Sequence, residues 1–318
     1  MSCAHDSENI MSTTRPFTVV MAQLNFVVGA IDDNTTLLID SARRAIAESN
    51  AQFVIFPELT LTSYPPEDLL LRPSLAPRMK VAMDRILAAK LPTTLVFGYP
   101  ESYEGKLYNS LAIVDQGKLL ATYRKQCLPN YQVFDERRYF QAGNQPCVLE
   151  IHGLRLGFTI CEDLWEEMPT QQFEHQSLDL LLNINASPFH RGKACERRQL
   201  LKRRAQAIGA PIAYVNLVGG QDELVFDGGS LAVDSVGNAV VQAPQFEAGL
   251  YPAVFKRSSS GRYEPACVSC ATQPSDLAQV YKALTIGVQA STTAEYYLTS
   301  GEVPGWQLDD VKVFPDLA

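Results

Sequence analysis

Three residues of the 318-residue chain have types and surroundings that suit acyl transfer: Glu58, Lys125 and Cys161. Cys161 ends the apolar, β-like run "LRLGFTI", and Glu162, Asp163, Glu166 and Glu167 follow it within six positions. The thiolate is the reactive form of cysteine, and negative neighbours disfavour it. A nucleophilic Cys161 is therefore expected to need a base and a compensating cation.

Histidine, the usual base for a cysteine, is poorly placed. The chain has four: His5 in an unpatterned start, His152 in a hairpin turn, His175 in a polar stretch, and His190, the only one near a strand end. Glu58 follows the run "FVIF" and Lys125 follows "LLATY", so both sit, like Cys161, just past an apolar run. Carboxyl ends of strands are where α/β sites gather. A lysine beside the thiol is expected to offset the acidic residues and favour the thiolate. A carboxylate close to both can take the thiol proton and pass it to a leaving amine. Singly, each residue has a plainer reading: a small buried side chain, a strand-end cap, a solvated lysine.

The elements that must position this trio alternate in type. "FTVVMAQLNF" reads as a strand. "DDNTTLLIDSARRAIAESN" reads as a helix capped by Asp33 or Asn34, with Leu37, Leu38, Ala42, Ala45 and Ile46 on one face. "AQFVIFPEL" is a strand buried on both faces, "SLAPRMKVAMDRILAAK" a helix and "TTLVFGYPE" a strand. Hairpins follow, turning at Asp115-Gln116-Gly117 and at His152-Gly153. "LDLLLNINASP", "KACERRQLLKRRAQAIGA" and "PIAYVNLVGG" read as strand, helix and strand, and a last hairpin turns at Gly237-Asn238. Strands alternating with helices and hairpins imply an α/β fold with mixed sheets. Residues 257–274 have the composition of a linker, and "SDLAQVYKALTIGVQ" reads as a helix capped by Ser275.

Composition narrows the classes. Hydrophobic residues make up 46% and charged residues 19%, enough apolar content for a sizeable core. A net charge of -8 argues against nucleic acid as a partner. Seven scattered cysteines suit free thiols in a reducing compartment. Residues 1–16 contain Asp6 and Glu8 and no apolar signal segment, with Met11 as an alternative start, so a soluble, cytoplasmic protein away from membranes is expected. Cys267-Val268-Ser269-Cys270 is a lone C-x-x-C without further ligands at short spacing, and reads as linker. The basic run "ERRQLLKRRAQ" reads as a solvated helix face.

Three blocks, "FPELTLTSYPPEDL", "YRKQCLPNYQVFDERRYF" and "ICEDLWEE", each after an expected strand, resemble the carbon–nitrogen hydrolase (nitrilase) superfamily with its Glu-Lys-Cys triad. "YPPEDLLLR" and "NASPFHRGK" bring the resemblance nearer to the glutaminase domain of glutamine-dependent NAD synthetases, from about Phe17 to about Val288. The resemblance implies an α-β-β-α sandwich of two mixed sheets, pairing into a homo-oligomer. It implies Cys161 as the nucleophile on the side-chain amide of L-glutamine, Glu58 as general base and acid, and Lys125 with the backbone N–H of Glu162 as oxyanion donors. Glu136 falls where a supporting carboxylate is expected, although "DERR" also reads as a surface ion-pair network. Tyr64, Tyr131, Phe134, Ser187 and Lys193 match positions lining the glutamine pocket. Tyr64 and Phe134 also read as core aromatics and Ser187 as a turn former. Lysine at 193, where some relatives carry arginine, keeps the charge for an α-carboxylate without bidentate geometry.

The amide chemistry implied needs no metal or organic cofactor. NAD formation in the full-length family needs ATP and magnesium, held by a Ser-Gly-Gly-x-Asp-Ser loop that these 318 residues do not contain. The glycine pairs Gly219-Gly220 and Gly228-Gly229 read as tight turns rather than a phosphate cradle. The expected organisation is thus an N-terminal extension (1–16), a glutaminase domain (17–256), a linker (257–274) and a helix and tail (275–318) resembling the start of a synthetase domain, with a separate synthetase domain or subunit as partner. Two other functions fit the sequence: a free-standing aliphatic amidase or ω-amidase, and a non-catalytic fragment.

Overall fold

The computed structural model describes residues 15–300, with helical backbone only for 291–300. His5, most of the N-terminal extension and the tail beyond 300 lie outside the described residues. The strands of the first half are β1 (Phe17–Gln23), β2 (Phe53–Ile55), β3 (Thr94–Tyr103), β4 (Lys106–Asp115), β5 (Lys118–Arg124), β6 (Cys147–Ile151) and β7 (Leu154–Ile160). Those of the second are β8 (Leu180–Asn185), β9 (Ile212–Asn216), β10 (Val218–Gln221), β11 (Leu224–Asp227), β12 (Leu231–Val233), β13 (Ala239–Gln242), β14 (Gly249–Arg257), β15 (Tyr263–Pro265) and β16 (Ser269–Cys270). The helices are α1 (Ile31–Ser49), α2 (Leu75–Ala88), α3 (Glu136–Tyr139), α4 (Glu162–Trp165), α5 (Glu167–Gln171), α6 (Lys193–Ile208) and α7 (Asp276–Ser300).

Two seven-stranded sheets stack face to face, in the orders β15-β14-β1-β2-β3-β4-β5 and β16-β13-β12-β9-β8-β7-β6. Each has a parallel centre, β1-β2-β3 in one and β7-β8-β9 in the other, flanked by antiparallel strands. Val19, Met21, Ile55 and Val96 of the first sheet meet Phe158, Ile160, Ile184 and Val215 of the second in the shared core. On the outer side of the first sheet, Leu38, Ala42 and Ala45 of α1 and Met79, Ala82 and Ile86 of α2 cover Val20, Val54 and Phe97. On the other, Leu200, Leu201 and Ala205 of α6 cover Leu181, Ile212 and Leu231. The central strands are apolar on successive residues because both of their faces are buried. The architecture is the expected α-β-β-α sandwich.

Several local expectations change. Residues 257–274 are not simply a linker: they supply β15, paired with β14, and β16, paired with β13, at the edges of the two sheets. Composition hides this because the polar residues belong to edge strands, one face of which is solvated. A further hairpin, β3-β4, turns at Glu104-Gly105. Helix α1 has no side-chain cap; instead the buried Asn34 binds the backbone of Val27 and Leu61. Gly219-Gly220 lies inside β10 rather than in a turn; a Cβ on Gly220 would meet Ala290 of α7 at 2.9 Å. Helix α7 begins after Ser275, as expected, and continues to Ser300 across β10 and β11.

Candidate active site

Strand direction puts the trio on one edge of the sandwich. β5 runs antiparallel to β4, and β4 antiparallel to β3, so β5 points the same way as the parallel centre. The residues just past β2 and β5 therefore emerge on one edge, and Asp163, just past β7, meets them there by accepting the Gln126 and Cys127 amides. Glu58 sits on a turn that folds back over β3. Its amide meets the Asn185 carbonyl at 3.4 Å, and the Gly98 amide donates to the Pro57 carbonyl at 3.2 Å. A Cβ on Gly98 would lie 2.2 Å from the Leu59 nitrogen and 2.9 Å from the Glu58 Cα, so only glycine lets this turn lie so close.

Cys161 joins β7 to α4 with φ 43° and ψ -102°, a conformation that non-glycine residues adopt only under constraint. Its amide donates to the Ile184 carbonyl at 2.9 Å. Beyond it, the amide of Glu162 opens α4 and so has no partner within the helix. The strained turn is a local observation that points to function, since such geometry persists only where the surrounding structure holds it.

Lys125, Glu58 and Glu136 form one buried cluster. The Lys125 Nζ donates to Glu58 Oε1 and to Glu136 Oε1, each at 2.7 Å. Asn109 Nδ2 also donates to Glu58 Oε1 at 2.8 Å, and the Ala186 amide to Glu58 Oε2 at 3.1 Å. The Tyr64 hydroxyl donates to Glu136 Oε1 at 3.0 Å, while Glu136 Oε2 has no partner. Glu136 is thus buried beside Lys125, not part of a surface ion-pair network.

Electrostatics assign the protons. Burial opposes the charge on Lys125, but Glu136 and Glu58 outweigh it and hold the lysine's pKa well above its ordinary value. Burial, with Glu58 adding to it against Lys125, pushes the Glu136 carboxyl up to about 7. The Cys161 thiol is pushed well above the usual thiol range, by burial first, then by Glu58, with Lys125 opposing. Lys125 does favour the thiolate, as expected, but burial and Glu58 outweigh it. The resting group is a thiol, because desolvation and the Glu58 charge exceed what one ammonium offsets. A buried thiol needs a base to react, and Glu58 is the carboxylate whose charge acts most strongly on it.

Aromatic and polar contacts hold the remaining expected residues. Tyr131 is half exposed, donates its hydroxyl to Glu162 Oε1 at 2.8 Å, and packs edge-on against Phe134, with ring centroids 5.5 Å apart. Phe134 in turn packs against Tyr64 at 6.4 Å. The Lys193 Nζ lies 3.8 Å from the centroid of the Trp165 ring, and burial lowers its pKa from the ordinary value. Ser187 is buried just past β8, its amide held by Asn216 Oδ1 at 2.8 Å. An open cavity of about 800 Å³ adjoins Tyr131 and Glu162. His190 lies apart, exposed and 3.5 Å from Glu196. Among the described residues no group of three His, Cys, Asp or Glu could hold a metal ion, and no helix is long and apolar enough to cross a membrane.

Sequence reasoning missed Asn109, the Ala186 amide, Trp165 and Asn216. The two asparagines carried a signal, each being an amide-bearing residue in an otherwise apolar strand. The Ala186 amide carried none.

Comparison with known proteins gives consistent results. Residues 18–264 match the family model for carbon-nitrogen hydrolases. A glutamine-dependent NAD(+) synthetase from Xylella fastidiosa (strain 9a5c) is 42% identical over 273 residues, covering 85% of this chain and 50% of that protein. A solved structure of glutamine-dependent NAD+ synthetase from Acinetobacter baumannii, in complex with ADP, is 38% identical with a TM-score of 0.83, covering 88% of this chain and 52% of that one. An amidase from Nesterenkonia sp. is 26% identical with a TM-score of 0.69, covering 76% of this chain and 90% of that one. The chain thus spans about half the length of the synthetases it matches, and nearly the whole of the amidase.

Proposed function

The chain belongs to the carbon–nitrogen hydrolase family, and from that premise we propose that it hydrolyses the side-chain amide of L-glutamine to glutamate and ammonia, as the glutaminase part of NAD synthesis. The observation that carries this reading is the buried Lys125 ammonium, held at 2.7 Å by both Glu58 and Glu136 within electrostatic reach of the Cys161 thiol. The names of the related synthetases supply glutamine as the amide.

In this mechanism Glu58 takes the Cys161 proton as Sγ attacks the amide carbon. The oxyanion is met by Lys125 Nζ and the Glu162 amide. Glu58 returns the proton to the departing nitrogen, ammonia leaves, and a glutamyl thioester remains. Water, deprotonated by Glu58, then releases glutamate and restores the thiol. Glu136 and its Tyr64 partner keep Lys125 charged and oriented. Lys193 faces the substrate α-carboxylate, with Ser187, Tyr131 and Phe134 shaping the pocket. No step calls for a metal or organic cofactor. Completing NAD requires ATP and magnesium on a separate synthetase domain or subunit, and a homo-oligomer in the cytoplasm is the expected working form.

A second reading is favoured by the match to nearly the whole of a free-standing amidase: hydrolysis of simple aliphatic amides. The test measures ammonia release from glutamine and from butyramide, with mass spectrometry of the enzyme during turnover. Glutamine turnover with a glutamyl adduct on Cys161, lost in Cys161→Ala, is expected. Preference for butyramide supports the second reading, and turnover of neither overturns both.

A further inference from the structure

Lys125 and Cys161 sit on different sheets, yet the reaction proposed above needs them at one fixed separation. β5 is the edge strand of the first sheet and β7 lies in the second, and the two do not pair. The backbone amide of Lys125 donates to Asn109 in the first sheet, and that of Cys161 to Ile184 in the second. Neither bond ties one residue to the other.

Asp163 makes that tie. Its side chain is fully buried. Oδ1 accepts the amides of Gln126 at 3.0 Å and Cys127 at 2.7 Å, the two residues directly after Lys125. Oδ2 accepts the Tyr123 hydroxyl at 2.7 Å, two residues before Lys125, and the Ile160 amide at 3.2 Å, directly before Cys161. One carboxylate thus binds the chain on both sides of Lys125 and the chain leading into Cys161. Reciprocal bonds between Gln126 and Gln172 at 3.0 and 3.1 Å reinforce the same junction. Buried carboxylates are expensive unless fully bonded, so four donors aimed at one side chain mark an arrangement under constraint rather than an incidental contact.

We propose that Asp163 is a positioning residue that sets the Lys125 ammonium against the Cys161 thiol by stapling the ends of β5 and β7, without touching substrate. The inference rests on the triad reading above. Burial pushes its carboxyl up to about 6, so at neutral pH it remains the anionic acceptor this role needs. Loosening the staple by about 1 Å is worth roughly 100-fold in rate. It also weakens the offset that Lys125 gives the thiol.

The experiment compares Asp163→Ala, Asp163→Asn and Tyr123→Phe with the wild type in the full chain. Asparagine keeps one acceptor oxygen and can donate to the Tyr123 hydroxyl. Tyr123→Phe removes one bond and leaves the core volume intact, so it serves if the Asp163 variants do not fold. Two quantities are read: kcat and KM for glutamine, and the pH profile of Cys161 alkylation by iodoacetamide, followed by peptide mass spectrometry. Expected are a kcat loss of roughly 100-fold for Ala, smaller for Asn and several-fold for Tyr123→Phe, with KM nearly unchanged. The alkylation midpoint should move to higher pH in the same order. Folded variants that keep wild-type kcat and an unshifted midpoint overturn the proposal, as does a loss confined to KM. Alkylation needs no amide substrate. If the midpoint shifts while the wild type turns over no glutamine, the glutamine reading fails and the positioning role stands.

Discussion

Glu58→Gln is the most informative single change, because Glu58 has two separable effects: the proposed role as base and the charge it sets beside the thiol. Its carboxylate receives three donors: Lys125 Nζ at 2.7 Å and Asn109 Nδ2 at 2.8 Å on Oε1, and the Ala186 amide at 3.1 Å on Oε2. Glutamine has the same shape but must turn an NH₂ toward a donor. Facing Ala186 loses one bond and facing the other side loses two, so the amide settles toward Ala186. Leaving that buried N–H unpaired costs about 1–3 kcal/mol, a tolerable loss for a chain of this size. Catalysis loses its base entirely, which is worth roughly 10²–10⁴-fold for one proton transfer, and Glu58 acts in both half-reactions. Turnover should therefore fall by about the upper end of that range while the protein stays folded. The thiol should respond in the opposite sense. After burial, the Glu58 charge is the largest influence raising the Cys161 pKa, so its removal should move the iodoacetamide midpoint of Cys161 to lower pH. The assay pairs steady-state ammonia release with the alkylation profile. Turnover within tenfold of wild type, or a midpoint that moves upward, refutes the assignment of Glu58 as the base beside this thiol.

Lys125→Met should abolish turnover and cost about 3–5 kcal/mol in urea unfolding, because it leaves two buried carboxylates without their cation. Lys125→Arg should also fail, since a planar guanidinium does not fit an ammonium's place between two oxygens; near-normal turnover in this variant would make the lysine structural. For Glu136, whose carboxyl is raised from 4.5 to about 7, the folded protein holds a proton that the unfolded chain has released. Its contribution to stability therefore declines as pH rises from about 4.5 to 7, and the stability of Glu136→Gln relative to wild type should increase over that interval; urea melts at pH 5 and pH 8 showing the reverse trend would contradict the proton placement. Supplied with deamido-NAD, Mg-ATP and glutamine, the pure chain should release ammonia and form no NAD, as read by chromatography; NAD at an enzymatic rate would reveal an unrecognised ATP site.

Much of the site was legible because its signals are local. Apolar runs ending at Glu58, Lys125 and Cys161 place each residue at a strand end, and Pro57 and the acidic run after Cys161 punctuate the chain at those points. The helices α1, α2 and α6 follow from apolar residues recurring at helical spacing, and the β4-β5 and β6-β7 hairpins from their glycines. Residue order alone thus determined the element types, a mixed α/β class and three candidate side chains at strand ends, while the sandwich and the triad roles came with the family resemblance of the three blocks.

Tertiary structure decided what depends on neighbours distant in the chain. The polar segments that became β15 and β16 needed partners, β14 and β13, that no local pattern announces. Glu136 is a buried member of the cluster, although "DERR" reads equally as a solvated face, because Tyr64 and Lys125 enclose it. The Asn109 and Ala186 donors to Glu58, 51 and 128 residues away, are visible only once the strands align. Above all, the protonation of Cys161 is set first by burial, which its acidic neighbours reinforce and Lys125 only partly offsets. Adjacent residues tell which charges are present, but burial sets how strongly each acts. Desolvation of a thiol is a property of everything packed around it, and therefore of the fold rather than of any stretch of the chain.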